Sequence, residues 1–261
     1  MPDIKITKAE ARLIESLVQH YKSNLTIFET LMKQLQVLIP ANTDLSKNVH
    51  SFKWRTKDPL HLKDKLTRKM KEYKQRGADF DINKENLYTK INDLVGVRIL
   101  HLYTSQIKDI NEALLRLLEA EHTFNLIEGP SARTWDDESR ALFETLGIAS
   151  IASPSMYTSV HYIFEKLSLT KVTFEIQVRT LMEEVWGEVN HTINYPHHVN
   201  SVACREQIKV LARVTSSCTR LVDSIFTTFK DFSSTTPAQV SNRRRNTSRP
   251  KPTSKKQSKK R

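Results

Sequence analysis

Residues 174–180 read Phe-Glu-Ile-Gln-Val-Arg-Thr, a strict alternation of apolar and polar side chains that a helix could not gather onto one face. As a strand it sends Phe174, Ile176 and Val178 to one side of a sheet and Glu175, Gln177 and Arg179 to the other. A carboxylate, an amide and a guanidinium then share one surface. From Met182 the period changes: Met182, Val185, Trp186, Val189 and Ile193 recur at helical steps, which predicts an amphipathic helix fed directly by the strand. A single alternating strand is equally at home half-exposed in any sheet, so its meaning depends on the residues that join it.

The chain has 261 residues, enough for one large or two small domains with a substantial core. Its two cysteines, Cys204 and Cys218, have no disulfide or zinc spacing and suit a reducing cytoplasm. No leader peptide is visible in the charged first residues, and no stretch reaches the ~18 uninterrupted apolar residues of a membrane span. The net charge of +12 is concentrated at one end. Ten Lys and Arg and no acid lie between Arg243 and Arg261, leaving 31 basic against 29 acidic residues elsewhere. The sequence therefore divides into a nearly neutral body, 1–235, and a basic tail, 236–261. The tail is too polar to offset its own ordering entropy and is expected to be disordered and available to RNA or another polyanion.

Along the body, leucine and aromatic spacing predicts one helix over about 7–37, closed by Pro40, and leaves room for a homo-oligomer through a coiled coil. Residues 52–57 alternate as a short strand. Asp58-Pro59 opens a basic helix with an acid at the cap and proline in the first turn. Residues 95–102 form an apolar run expected of a buried strand, with Asp93 at its head. A helix over 106–120, an edge strand over 122–127, a helix over 136–145 and a strand over 157–164 follow. Ile208, Leu211, Val214, Cys218, Leu221 and Ile225 mark a final long helix. The fold class is α+β, a mixed five-stranded sheet flanked by helices.

Glycine-rich phosphate loops, zinc-spaced ligands and a serine-hydrolase elbow are all absent from the sequence, and His197-His198 reads as loop polarity. What remains is a basic element, Arg55, Lys57, Lys65, Arg68 and Lys69, with two carboxylates at strand positions, Asp93 and Glu175. Clustered cations suit a polyphosphate, and paired carboxylates suit Mg²⁺, which binds through few protein oxygens plus substrate phosphates. A solvated helix face would show the same basic pattern without any ligand.

Four segments, Arg55 to Lys69, Asp93 to Ile99, Tyr157 to His161 and Glu175 to Thr180, resemble the successive motifs of the RelA/SpoT synthetase domain. The helix from Trp186 to Tyr195 is similar to that of the small stand-alone alarmone synthetases in that family. The resemblance covers about residues 45–200 and implies a nucleotidyltransferase-like sheet and a pyrophosphokinase. Such an enzyme moves the β,γ-diphosphate of ATP to the 3′-hydroxyl of GDP or GTP, giving (p)ppGpp. It further implies that Arg55, Lys57, Lys65 and Lys69 bind ATP, that Asp93 and Glu175 hold Mg²⁺, and that Glu175 activates the hydroxyl. Tyr157, on which guanine would stack, together with His161, Gln177 and Arg179, would receive the acceptor. Three departures fall on the acceptor side: His61 stands where many members have serine, Ser155-Met156 where a glycine is usual, and the loop before Tyr157 lacks a lysine. They leave open an acceptor such as an adenosine nucleotide or the 3′ end of tRNA, as in toxin members. A non-catalytic nucleic-acid-binding relative is the reading of another class, and retention of both carboxylates argues against it.

Overall fold

The computed structural model describes residues 4–120, 122–194 and 200–235. His197-His198 and the basic tail lie outside the described residues. Residues up to Asp223 form one compact unit, which carries the sheet and the site, and a second unit begins at Ser224.

Thr7 starts the first helix with a capping box: its side chain accepts from the Glu10 amide while the Glu10 carboxylate accepts the Thr7 N–H. The single helix expected over 7–37 is two, α1 (Lys8–Ser23) and α2 (Leu25–Ala41). Asn24 separates them, its side-chain amide donating to the His20 carbonyl at 2.8 Å, a local bond that competes with helix continuation. Of the seven expected apolar positions, Leu17, Tyr21, Phe28, Leu31 and Leu35 are buried, Leu25 is half-buried and Leu13 is exposed. After the short α3 (Thr43–Ser46) and strand β1 (Ser51–Thr56) comes α4 (Pro59–Gln75). Asp58 caps α4 by accepting from the amides of Leu60 and His61.

The remaining elements are α5 (Leu87–Lys90), β2 (Val95–His101), α6 (Ile107–Ala120), β3 (Phe124–Thr134), α7 (Asp137–Thr145), β4 (Ala149–Ala152), β5 (Ser159–Lys166), β6 (Val172–Thr180), α8 (Leu181–Asn194) and α9 (Val202–Thr235). Six strands in the order β1-β2-β6-β5-β3-β4 make one mixed sheet, one more than expected. The β2/β6 and β3/β4 pairs are parallel and the others antiparallel. The extra strand is β4, a four-residue edge with little burial and hence little hydrophobic pattern to read. Residues 122–127 were expected to form an edge strand. From Phe124 they open β3 and are paired on one side only, by β5; the strand then runs on through Gly129-Pro130 and gains β4 on its other side over residues 131–134. Proline is tolerated there because the ladder shifts register between Glu128 and Ser131, where its missing N–H costs no regular bond.

Phe174, Ile176 and Val178 lie in the main core with Val95, Val97 and Ile99 of β2 and Val160, Tyr162 and Phe164 of β5. At ~1.5–3 kcal/mol for each large apolar side chain buried, this face holds the register of the three central strands. The register in turn fixes the opposite, polar face.

Two apolar stripes turn out shifted. On α8, Val185 and Val189 are exposed while Glu184 and Trp186 are buried. The reason is that α8 covers the polar face of the sheet, so charge rather than hydrocarbon points inward. On α9 the buried positions are Ile208, Ala212, Thr215 and Thr219, whereas Val214, Leu221 and Ile225 are exposed.

Candidate active site

The polar face is built in rows across the sheet. Cα pairing aligns Arg55 with Gly96 and Gly96 with Glu175, and in the next row aligns Lys53, Arg98, Gln177 and His161. Side chains of paired residues share a face, so strand register alone gathers acids, bases and amides contributed by β1, β2, β5 and β6. A cavity of about 630 Å³ opens over this face, roofed by α8. Arg55, Lys57, Arg68, Arg98 and Arg179 line it with Asp58 as the one acid, so it suits an anionic ligand.

At one end stands Asp93, just before β2. Lys57 Nζ lies 2.6 Å from its Oδ2, Lys65 Nζ 2.7 Å from its Oδ1, and the Arg55 guanidinium 3.9 Å away. Burial pushes the Asp93 carboxyl up, but the two ammonium groups outweigh it and hold the pKa at about 2. Lys57 feels the opposite balance: burial lowers its pKa and Asp93 only partly restores it.

At the other end Glu175 accepts two hydrogen bonds, from His161 Nδ1 to Oε1 and from Gln177 Nε2 to Oε2, each 2.9 Å. Tyr157 donates its hydroxyl to Gln177 Oε1 at 3.2 Å, so a chain of bonds runs from the cavity wall to the carboxylate. Burial raises the Glu175 pKa, the Asp93 charge adds to that, and the His161 contact more than reverses it, leaving the carboxyl below its ordinary range.

Above these, α8 holds the cations in place. The buried Glu184 carboxylate pairs with Lys53 at 2.6 Å, with Arg98 at 3.2 Å and with Arg179. Glu188 takes Arg98 at 2.6 Å. The Arg179 guanidinium lies over the Tyr157 ring, 5.5 Å from its centre. Trp186 backs Tyr157 and donates its indole N–H to the Ile208 carbonyl at 3.1 Å, which ties the roof to α9. Met156, at the position where the resemblance leads one to expect glycine, has φ 61°, a left-handed conformation that glycine adopts more readily than methionine.

Of the ten residues singled out from the sequence, Arg55, Lys57, Tyr157, Gln177 and Arg179 line the cavity. Asp93 and Glu175 stand one residue behind its wall, reached through Lys57 and Gln177 respectively. Lys65 is brought to Asp93, and His161 is buried against Glu175 rather than facing the cavity. Lys69 is half-buried on α4 and does not line the cavity. Arg68, counted in the basic element, also lines it, as do Arg98, Trp186, Gly187 and His191, which had been assigned no role. Arg98 had a signal, the lone charge in an otherwise apolar strand.

Among the described residues no group of three or more His, Cys, Asp or Glu could hold a metal by itself. Asp93 and Glu175 nevertheless fit a hard cation that is completed by phosphates, because both are oxygen donors held ionised, and Asp93 already attracts three cationic side chains. No described helix is long and apolar enough to cross a membrane, and the two cysteines are free thiols.

Residues 54–200 match the family model described as a region found in RelA / SpoT proteins. The fold is similar to that of small alarmone synthetase 1 from Bacillus subtilis bound to its product pppGpp, with a TM-score of 0.57 at 16% identity, covering 81% of this chain and 99% of that one. A GTP pyrophosphokinase family protein from Streptococcus pneumoniae gives 0.55 at 16% identity, covering 87% and 97%. The B. subtilis synthetase bound to AMPCPP gives 0.52 at 15% identity, covering 83% and 97%. A search of curated proteins by sequence gives no match.

Proposed function

Since the chain belongs to the RelA/SpoT family, its matched region spanning more than half of it, we propose that it is a pyrophosphokinase making (p)ppGpp from ATP and GDP or GTP. The observation that carries this reading is the pair of differently held carboxylates, Asp93 among lysines and Glu175 between His161 and Gln177, under a cationic cavity of about 630 Å³. This volume lies within the ~300–1,000 Å³ range usual for small-molecule sites. The solved synthetases that share the fold include one bound to pppGpp and one bound to AMPCPP, which supports nucleotide ligands here.

In this reading the acceptor 3′-oxygen attacks the β-phosphorus of ATP. Its bond to phosphorus forms, the bond from that phosphorus to the α,β-bridging oxygen breaks, and AMP leaves with the oxygen. Glu175 takes the hydroxyl proton and later releases it to water. His161 and Gln177 orient the carboxylate and keep it ionised at neutral pH. Arg55, Lys57, Lys65 and Lys69 are assigned to the polyphosphate, and Arg68 joins them by position. On ATP binding, Lys57 and Lys65 exchange Asp93 for phosphate oxygens, a substitution between anions of like charge. Asp93 and Glu175 would hold Mg²⁺, which supplies neutralisation of the phosphate charge. Tyr157 offers a stacking surface to the acceptor base, with Gln177 and Arg179 beside it. Because charge builds on phosphoryl oxygens, positioning and cationic stabilisation make up most of the catalysis, and the residue types of the site match that need.

The reaction is placed in the cytoplasm, where both nucleotides and free thiols occur. The basic tail, 236–261, is proposed to bind RNA or another polyanion without taking part in transfer. The test is chromatography of ATP incubated with GDP, GTP, a second ATP or deacylated tRNA. AMP release with mass gain on a guanosine nucleotide supports the reading. Gain on tRNA or an adenosine nucleotide instead moves the enzyme to the toxin type, and no AMP with any acceptor leaves the non-catalytic relative.

A further inference from the structure

Gly187 is an unexpected residue for the middle of α8, since glycine is the weakest ordinary helix former and alanine would serve the helix better. What it faces explains it. A Cβ built at 187 would stand 2.7 Å from Arg179 Nη1 and 3.4 Å from Cζ. Ordinarily the end of an arginine side chain swings away cheaply. This one cannot, because Arg179 is only 3% exposed, its Nη2 is paired with Glu184 one turn earlier on the same helix, and its guanidinium lies over Tyr157. Any movement that makes room for a methyl group gives up the ion pair or the ring contact.

We propose that Gly187 and Glu184 are positioning residues that set Arg179 against Tyr157, and that the missing side chain at 187 therefore determines how well the acceptor nucleotide is held. The inference rests on the reading that Tyr157 and Arg179 receive the acceptor. Arg179 Nε is buried with no hydrogen-bond partner among the described residues. Gly96 supplies a counterpart elsewhere on the sheet: a Cβ there would meet Arg55 Nε at 3.2 Å. That contact is looser, and the Arg55 side chain is 42% exposed and free to yield. Of the two glycines, only Gly187 faces an arginine with nowhere to go.

The experiment measures KM for GDP and for ATP, calorimetric binding of GDP and of AMPCPP, and Tm, in Gly187→Ala, Glu184→Gln, Arg179→Ala and the Gly187→Ala/Arg179→Ala double variant. Gly187→Ala is expected to raise KM and Kd for GDP by ~10-fold or more, as displacement of a positioning group by about 1 Å does, with the values for ATP and AMPCPP within about twofold. Its Tm is expected to fall, because the loss of the buried ion pair or the ring contact outweighs the gain of alanine over glycine in the helix. Glu184→Gln keeps the shape and should shift GDP in the same direction. In the Arg179→Ala background the three atoms nearest the added methyl are gone, so Gly187→Ala should cause no further loss. Equal changes for both nucleotides, a Tm change with unaltered GDP binding, or a further loss in the Arg179→Ala background would each overturn the proposal while leaving the pyrophosphokinase reading intact. If the wild-type protein neither binds GDP nor transfers to it, the functional reading fails and takes this inference with it.

Discussion

Asp93, just before β2, and Glu175, within β6, are both shielded carboxylates beneath one cavity, yet their surroundings are unlike. Asp93 is met by two ammonium groups at 2.6 and 2.7 Å and is held at a pKa of about 2. Glu175 is met by an imidazole and an amide, each at 2.9 Å, with no Lys or Arg on it. Full positive charges make Asp93 a permanent anion, suited to holding cations. Lighter support fits Glu175 to the proposed role of base, and on that proposal environment, not residue type, separates a fixed charge from a base.

The sharpest break between the two should come from neutralising each in turn. Glu175→Gln keeps the shape but removes the proton acceptor, and kcat is expected to fall by about 10³-fold with KM for ATP little changed, the middle of the usual range for losing a general base. A residual rate within tenfold of wild type would remove Glu175 from the chemistry.

Asp93→Asn should cost about 10² in kcat and, unlike the first variant, should raise KM for ATP, since cation holding is lost. It should also change acid stability. With a folded pKa of about 2 against the unfolded value near 3.9, Asp93 contributes stability that is complete above about pH 4 and lost as pH falls through about 2. The stability gap between wild type and Asp93→Asn, followed by urea unfolding, should therefore close over that interval. A gap that is constant with pH would show that the lysines do not set the Asp93 charge.

His161→Ala addresses the lighter support. With the imidazole gone, burial and the Asp93 charge prevail and the Glu175 pKa rises. The acidic limb of kcat/KM should move to higher pH, with a loss of about tenfold at neutrality. An unmoved limb with the same loss would give His161 a role on the acceptor instead.

Deletion of residues 236–261 should change least at the site. Transfer to free GDP or GTP is expected within twofold of wild type, while RNA binding loses salt dependence, ~0.7 of slope for each phosphate contact removed. Loss of transfer on deletion would join the tail to the catalytic unit.

Both carboxylates were legible in the sequence because each sits at a position that strand alternation or a buried run makes conspicuous. The same holds for the apolar core of β2, β5 and β6, whose residues all fall where their period puts them. What escaped were features made by three-dimensional neighbours. The α8 stripe was misread because hydrophobic periodicity presumes an apolar surface opposite, and α8 packs on the polar face, turning in Glu184 and leaving Val185 and Val189 out. Alternation gives the face of His161 but not its side-chain partner: register sets it opposite Gln177, and its imidazole reaches diagonally to Glu175. The break at Asn24 depends on one side-chain bond, and β4 buries too little to leave a pattern.

The central claim, that the two carboxylates serve a diphosphate transfer, is tested most directly by counting products in one reaction. ATP and GDP are incubated with the protein and Mg²⁺, and AMP, ADP and the guanosine product are quantified together by mass spectrometry. The account predicts one AMP for each GDP that gains a diphosphate on its 3′-oxygen, with both products falling in parallel in Glu175→Gln. Release of ADP in place of AMP, or AMP formed without a heavier acceptor, would contradict it.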